Sequence, residues 1–448
     1  TVYIVHCIDT EGPLNETLDA TFERLESILG IKLETSEENL KKLQNGEINL
    51  GDKKQAVKNL VSQKRLSFLK NWSEIEKMHN RITNKDFRNQ LTDSNNNGWI
   101  YNWFCVDHIG YDFNPRQRDI GYHIVFDKYT KLINKNGNEK DRVYFHYHPL
   151  PHNKMAHSSA TLYLNSNHIF EILCRKIIDK QWFPSVFRPG FHSIRPDSHW
   201  FLEQWIPFDY SNQSTIEKAN QPDLADGRFG DWTRAPKIWG GYHPDYDDFQ
   251  KQGDCRRWIF RCLNMENRVR ELTQDDVDDA FEEAINNGKS VLSFTNHDFR
   301  DMGPEIIKIM KMIEKADNKY SNVDFVYSNA LDAARNYIGF NRIEKIGLNA
   351  KIINKNKYNL MIVTSENNTF GSQPFLAIKD NKGNYYYDNF DIITPFRKWH
   401  YTFDWQTFEL ENIDSIGIAS ANEFGVCEIV NYNIKSKKFI KKSYNETT

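Results

Sequence analysis

Val2-Tyr3-Ile4-Val5-His6-Cys7-Ile8-Asp9-Thr10-Glu11-Gly12-Pro13 begins the chain with an apolar run that ends in two acidic residues. Because side chains alternate across a β-strand, Asp9 and Glu11 are predicted to share one face at the end of a strand. Gly12 and Pro13 break the strand immediately afterwards. Both carboxylates are therefore expected at the C-terminal edge of a sheet, where α/β proteins carry their chemistry.

Three histidines follow a second β-like run. Residues 142–152 read Arg-Val-Tyr-Phe-His-Tyr-His-Pro-Leu-Pro-His, which places imidazoles at His146, His148 and His152. His146 and His148 would share a strand face, whereas the prolines after His148 exclude a helix and assign the spacing to His152 to a turn. One carboxylate with two imidazoles suits a divalent metal and leaves coordination positions for water and substrate.

Polar residues also close two later apolar segments. Arg188-Pro189-Gly190 follows Val186-Phe187, and Thr295-Asn296-His297-Asp298 follows Val291-Leu292-Ser293-Phe294. Four predicted strands thus end in polar clusters. If these strands are parallel, the four clusters meet at one edge of the sheet.

The order of these motifs resembles that of the NodB-type polysaccharide deacetylases, which form carbohydrate esterase family four. That family runs through Asp-x-Asp or Asp-Asp, His-x3-His, Arg-Pro, an Asp/Ser segment and a late histidine. The counterparts in this chain are Asp9-Thr10-Glu11, His148 to His152, Arg188-Pro189, Phe208-Asp209-Tyr210-Ser211 and His297. Tyr242 to Asp247 and Cys255 to Arg257 are also similar in texture to members encoded with O-antigen or surface-polysaccharide genes.

The resemblance implies a metal site. Glu11 takes a ligand position that the family usually fills with Asp. The His-x3-His spacing favours His148 and His152 as the histidine pair, with His146 as the close alternative. Zinc is the first choice for an imidazole-carboxylate set, and Co, Mn, Ni or Fe suit the same ligands.

The resemblance also implies catalytic roles. Asp9 takes the general-base position, Arg188 would pair with Asp9 and keep it ionised, and His297 fits the late general acid. Three further residues are predicted to contact substrate or to support the site: Asp107, His108 and Asp209.

The resemblance implies a metal-dependent hydrolase that removes an N-acyl group, N-acetyl first, from an amino sugar or a polysaccharide precursor. The expected substrate is a nucleotide-linked, lipid-linked or polymeric carbohydrate. A deformylase or O-acyl esterase would need the same groups, because the acyl pocket is not readable from sequence. A non-catalytic carbohydrate-binding or assembly protein on a deacetylase-like scaffold is the third alternative.

Alternating strands and helices predict an α/β domain with a parallel sheet over residues 1–338. The resemblance implies a distorted (β/α) barrel of NodB type. Apolar residues at helical spacing predict a helical insertion at about 14–97. Short alternating runs separated by Asn, Gly and Asp turns predict an all-β sandwich over 339–448, in which Trp399 or Trp405 is a candidate sugar platform.

Composition limits the partners. A net charge of −3 with 39% hydrophobic residues is typical of a soluble globular chain, and no basic field points to nucleic acid. No apolar stretch is long enough for a transmembrane span, so a cytoplasmic location is expected, with a secreted form left open. The six scattered cysteines favour reduced thiols over a disulfide framework. The oligomeric state is not readable.

Overall fold

The computed structural model describes residues 1–136, 139–154, 162–215, 230–266 and 271–444. It is a mixed α/β protein: a curled, mostly parallel sheet is followed by two antiparallel sheets. All six cysteines are buried and free, as predicted. Among the helices of the described ranges, none combines the length and apolar character needed to cross a bilayer.

The curled sheet carries the predicted polar clusters. Its strands in the described ranges are β1 Val2–Thr10, β2 Tyr101–Val106, β3 Arg142–Tyr147, β4 Val186–Pro189, β5 Phe208–Asn212, β6 Gly241–Tyr242, β7 Trp258–Arg261, β8 Leu263–Asn264, β9 Ser290–His297 and β10 Phe325–Tyr327. Their order is β6-β7-β5-β4-β3-β2-β1-β9-β8, and β10 pairs with the first half of β1. The β6–β7 pair is antiparallel, and the other pairs in this order are parallel.

Strand register brings the polar clusters together. Asp9 at the end of β1 is aligned with His297 at the end of β9. On the other side of β2, His146 of β3 is aligned with Arg188 of β4. Since these strands run parallel, their carboxyl ends form one edge, as the sequence predicts.

Helices cover the sheet and form the segment between β1 and β2. The helices in the described ranges are α1 Leu18–Leu29, α2 Glu37–Asn45, α3 Lys54–Leu60, α4 Gln63–Leu66, α5 Trp72–Thr83, α6 Lys85–Arg88, α7 Ile124–Asn136, α8 His168–Lys180, α9 Pro196–Trp205, α10 Gln274–Asn287, α11 Gly303–Lys319 and α12 Ala330–Ile338. Apolar residues of α1 to α3 form a small core of their own around Leu25, Val57 and Leu60. The predicted amphipathic helices therefore bury their apolar faces.

The C-terminal strands are β11 Asn349–Asn354, β12 Asn359–Thr364, β13 Phe375–Asp380, β14 Tyr385–Asp388, β15 Asp391–Thr394, β16 Lys398–Phe403, β17 Ile413–Ala421, β18 Cys427–Asn433 and β19 Lys438–Tyr444. They form the antiparallel sheets β11-β12-β16-β15 and β14-β13-β17-β18-β19, which share one hydrophobic core. Trp399 is fully buried in that core, so the prediction of an exposed Trp399 platform is wrong. Trp405 lies after β16 and is 79% exposed.

Candidate metal centre and acid–base residues

Glu11, His146 and His148 come together at the carboxyl edge of the sheet. One ligand atom from each of them lies within 4.8 Å of the others. The two Nε2 atoms of the histidines are 3.0 Å apart, and His148 Nε2 is 3.5 Å from Glu11 Oε1. Among the residues that the structure describes, these three form the group that could hold a metal ion.

The tautomer of His146 suits a metal ligand. Its Nδ1 atom lies 2.9 Å from the carbonyl oxygen of Arg188. A carbonyl oxygen only accepts hydrogen bonds, so Nδ1 carries the proton and Nε2 turns its lone pair toward His148. Burial lowers the pKa of His146 to about 4, which keeps the ring neutral. Two imidazole nitrogens on one tetrahedral zinc ion lie roughly 3.3 Å apart, close to the observed spacing.

The Arg-Pro-Gly segment supports His148 from behind. A Cβ atom at Gly190 would lie 2.4 Å from the Nδ1 atom of His148, so only glycine leaves room for this ring. Phe191 packs edge-on against the same imidazole, with ring centroids 4.9 Å apart. The segment that carries Arg188 therefore also positions a candidate metal ligand.

Glu11 is paired with an arginine that sequence reasoning missed. Arg118 Nη1 lies 2.5 Å from Glu11 Oε2, and both side chains are buried. Burial alone would raise the pKa of Glu11, but the Arg118 guanidinium and His148 hold it well below its usual range. His108 lies beside this pair, with Nε2 3.1 Å from the Glu11 carbonyl oxygen. Arg118 follows an Asn-Pro turn and has no sequence signal beyond its charge.

Asp298 fixes the backbone that carries Glu11. Its carboxylate accepts hydrogen bonds from the backbone N–H groups of Glu11 at 2.7 Å and Gly12 at 3.0 Å. The Tyr129 hydroxyl donates to the same carboxylate at 2.8 Å. The residue after His297 thereby ties the end of β9 to the end of β1.

Arg188 and Asp9 form the ion pair that the resemblance implies. Arg188 Nε donates to Asp9 Oδ1 at 2.6 Å and Nη2 donates to Oδ2 at 3.0 Å. Arg188 also donates to the Tyr210 carbonyl oxygen. Burial opposes the charge on Asp9, but the guanidinium outweighs it and holds the pKa of Asp9 far below its usual range. Asp9 is therefore ionised and held by two hydrogen bonds.

His297 stands at the open side of the group. Its Nε2 atom lies 3.9 Å from Asp9 Oδ2 and 3.8 Å from Glu11 Oε1. The side chain is 33% exposed, whereas Asp9 and Glu11 are buried. The ring packs on Phe299 with centroids 4.8 Å apart. A reactant would reach the carboxylates past His297.

His152 lies outside this group, which corrects the preference for His148 with His152. The imidazoles that accompany Glu11 are His146 and His148, whereas His152 is exposed. The physical reason is that alternation along β3 turns His146 and His148 to one side. The chain then leaves the strand in a turn closed by the Lys154 N–H donating to the Pro151 carbonyl oxygen at 2.9 Å.

Asp107 and Asp209 lie behind the site rather than on its surface. Asp107 is buried against Lys176, with Oδ2 and Nζ 3.0 Å apart and both side chains inaccessible to solvent. Asp209 is equally inaccessible and pairs with Arg257. Because both carboxylates are sealed from solvent by these pairs, neither is placed to contact a substrate.

No protein-family profile matches this chain, and no curated protein matches it significantly. Its function is therefore inferred from the site itself.

Proposed function

We propose that this protein is a metal-dependent hydrolase that removes an N-acyl group, N-acetyl first, from an amino sugar or a polysaccharide precursor. The observation that carries the proposal is the convergence of Glu11, His146 and His148 with the Asp9–Arg188 pair and His297 at one sheet edge. The curled parallel sheet is compatible with a distorted (β/α) barrel of NodB type, and the two C-terminal sheets with a β-sandwich.

Glu11, His146 and His148 would hold the metal. The donor set fits, because one ionised carboxylate and a neutral imidazole with a carbonyl-bound Nδ1 present their free atoms to each other. Zinc is the first choice for these ligands, and Co, Mn, Ni or Fe also suit them. When bound, a divalent metal polarises an acyl carbonyl and lowers the pKa of a water molecule.

The acid–base work falls to Asp9 and His297. Asp9 is ionised and would accept a proton as the oxygen of water bonds to the acyl carbon. The amide C–N bond then breaks, and the departing nitrogen needs a proton because an amide anion is a very poor leaving group. His297 is the exposed group that would deliver it.

His297 must first gain that proton. Burial lowers its pKa below the usual value, although Glu11 and Asp9 act in the opposite direction. Asp9 Oδ2 is 3.9 Å from His297 Nε2, which is too long for a direct hydrogen bond, so one intervening water would relay the proton from Asp9 to His297, which would then give it to the amine. Arg188 makes Asp9 a weak base and protonated Asp9 a strong acid, so Asp9 would hold the proton only briefly before passing it on.

The test is metal content together with acetate release from nucleotide-linked and oligomeric N-acetylated amino sugars. We expect about one metal per chain in the parent, in Asp9→Asn and in His152→Ala, and little in His146→Ala or His148→Ala. Acetate should come from the parent and His152→Ala alone. A parent that stays metal-free after reconstitution would overturn the proposal, and formate release would indicate a deformylase.

One observation favours the non-catalytic alternative. Arg118 already occupies Glu11 Oε2 at 2.5 Å, which leaves Oε1 as the free ligand atom. A carboxylate neutralised in this way attracts a cation less strongly. Sugar affinity in metal-free protein, without acyl release in any metal, would assign the chain to carbohydrate binding.

A further inference from the structure

Trp200 and Tyr246 form an exposed aromatic pair on the α/β part of the chain. Their side chains are 44% and 62% exposed, respectively. The rings are stacked at 22° with centroids 6.0 Å apart, and Trp200 Nε1 donates to the Tyr246 carbonyl oxygen at 3.3 Å. Two large aromatic rings held together in water are typical of a binding surface.

Hydrogen bonds within the loop that carries Tyr246 hold it in one conformation. The Asp245 N–H donates to the Lys251 carbonyl oxygen at 2.7 Å, and the Gly253 N–H donates to the His243 carbonyl oxygen at 2.9 Å. A Cβ atom at Gly253 would lie 2.4 Å from Asp245 Cα, so glycine is required for this close approach. Tyr246 is therefore presented in a fixed position, which lowers the entropy cost of binding.

A buried network connects this pair to the candidate metal centre. His199 Nε2 donates to the carbonyl oxygens of Asp245 at 3.0 Å and Tyr246 at 3.1 Å, and Arg257 donates to His199 Nδ1. Arg257 also pairs with Asp209. Tyr210, which follows Asp209, accepts a hydrogen bond from Arg188 at its carbonyl oxygen, and Arg188 in turn pairs with Asp9.

The position along α9 agrees with this connection. The helix begins at Pro196, shortly after His192, whose Nδ1 atom lies 3.1 Å from Arg188 Nη2. Trp200 lies in the second turn, about 6 Å along the helix axis from Pro196. The aromatic pair is thus on the flank of the sheet edge that carries the site.

Three carboxylates are close to the two aromatic residues along the chain. Asp245 and Asp247 flank Tyr246 in the loop, and Asp197 precedes Trp200 by one helical turn. Asp245 forms an ion pair with Lys251, whose Nζ atom lies 3.2 Å from Asp245 Oδ2. These carboxylates can accept hydrogen bonds from the hydroxyl groups of a ligand.

We propose that Trp200 and Tyr246 form a subsite that stacks a pyranose ring of an amino-sugar polymer. A pyranose presents a face of C–H groups to an aromatic ring and hydroxyl groups to its rim, and a residue that has lost its acyl group adds an ammonium ion. A stacking site separate from the metal centre is reached together with that centre only by a substrate longer than one sugar. The assignment of sugar as the ligand rests on the proposed function and narrows its substrate to a polymer.

The test measures binding in the Asp9→Asn background, so that it does not depend on turnover. Titration calorimetry with N-acetylglucosamine oligomers from dimer to hexamer gives Kd against chain length. Trp200→Ala and Tyr246→Ala should each raise the Kd for the hexamer about tenfold, as expected for one lost ring contact. Trp200→Phe should restore most of the affinity, and Tyr358→Ala, at an exposed tyrosine elsewhere in the chain, should leave it unchanged.

The subsite would be overturned by hexamer affinity that is unchanged in Trp200→Ala and Tyr246→Ala, or by a Kd that does not depend on chain length. Loss of self-association in Trp200→Ala, with sugar binding unaffected, would also overturn it and assign the pair to a protein interface. A chain that binds the hexamer through Trp200 but releases no acetate would keep the subsite and refute the hydrolase. The two proposals therefore fail separately.

Discussion

The Nε2 atoms of His146 and His148 lie 3.0 Å apart, while the Nδ1 atom of His146 is held by the Arg188 carbonyl oxygen at 2.9 Å. The main chain of the Arg-Pro motif thus orients one candidate ligand, and its side chain holds Asp9. Strand β4 therefore positions both the candidate metal ligand His146 and the acidic residue Asp9. Changes at Arg188, Gly190 and the histidines should consequently have separable effects.

His146 and His152 make a matched pair of substitutions. His146→Ala should abolish stoichiometric metal binding, because the structure places His146 in the ligand group. His152→Ala should leave metal content unchanged, since this exposed side chain lies outside that group. Elemental analysis of both proteins after dialysis against a weak chelator makes the comparison. Metal loss in His152→Ala with retention in His146→Ala would restore the pair that the His-x3-His spacing favours.

Gly190→Ala should weaken metal binding without unfolding the protein. The added Cβ atom would meet His148 Nδ1 at 2.4 Å and push the ring out of place. We expect metal affinity to fall by about 10- to 100-fold, the range typical when the support of a ligand is lost. Competition with a chromophoric chelator measures the affinity, and circular dichroism checks the fold. Unchanged affinity would mean that His148 is not a ligand.

Arg188→Ala should strongly destabilise the fold. It leaves Asp9 buried without its partner, and breaking a buried pair typically costs about 3–5 kcal/mol. Arg234→Ala is the control, because Arg234 pairs with Asp248 at 2.5 Å on the surface, where such pairs contribute about 0–1 kcal/mol. Urea unfolding of the two variants measures how much each loses in free energy of unfolding. Equal losses would show that Asp9 and Arg188 do not form an ion pair in solution.

His6 should make the protein less stable in acid. Burial lowers its pKa in the folded state to about 4, from 6.5. Trp99 Nε1 donates to Nδ1 of His6 at 3.0 Å, which requires that nitrogen to be unprotonated. Below pH 6.5 the unfolded chain takes up a proton that the folded chain refuses, so the free energy of unfolding falls as the pH drops toward 4.

Uptake of one proton by the unfolded chain alone lowers the free energy of unfolding by about 1.4 kcal/mol for each pH unit. His6→Gln should remove one such contribution from the slope between pH 6.5 and about 4. Urea unfolding of the parent and of His6→Gln across this pH range measures both slopes. An unchanged slope in His6→Gln would mean that His6 is protonated in the folded protein.

The C-terminal strands show where local patterns fail. The runs in β12, β13, β14, β17 and β18 are apolar enough to be predicted from sequence. β15 and β19 carry exposed and charged residues, including Lys438, Lys441 and Lys442. They are strands because their backbones pair with β16 and β18. Sheet edges tolerate such polar composition, so the sequence alone gives no signal for them.

Asp107 illustrates a second limit. It follows an apolar strand in the same way as Asp9, and its local sequence is equally suited to a functional edge. In the folded protein, Lys176 from α8 pairs with Asp107 and seals it from solvent. The partner lies far along the chain, and its approach depends on how α8 packs.

The sequence by itself determined the parallel sheet, the strand ends at Asp9, His146, Arg188 and His297, and the all-β pattern after residue 338, because apolar periodicity and turn residues act locally. The tertiary structure decided which two of the three histidines accompany Glu11, and it supplied Arg118. Those choices depend on distances between segments far apart in the chain, which strand register and loop packing fix and local sequence does not encode.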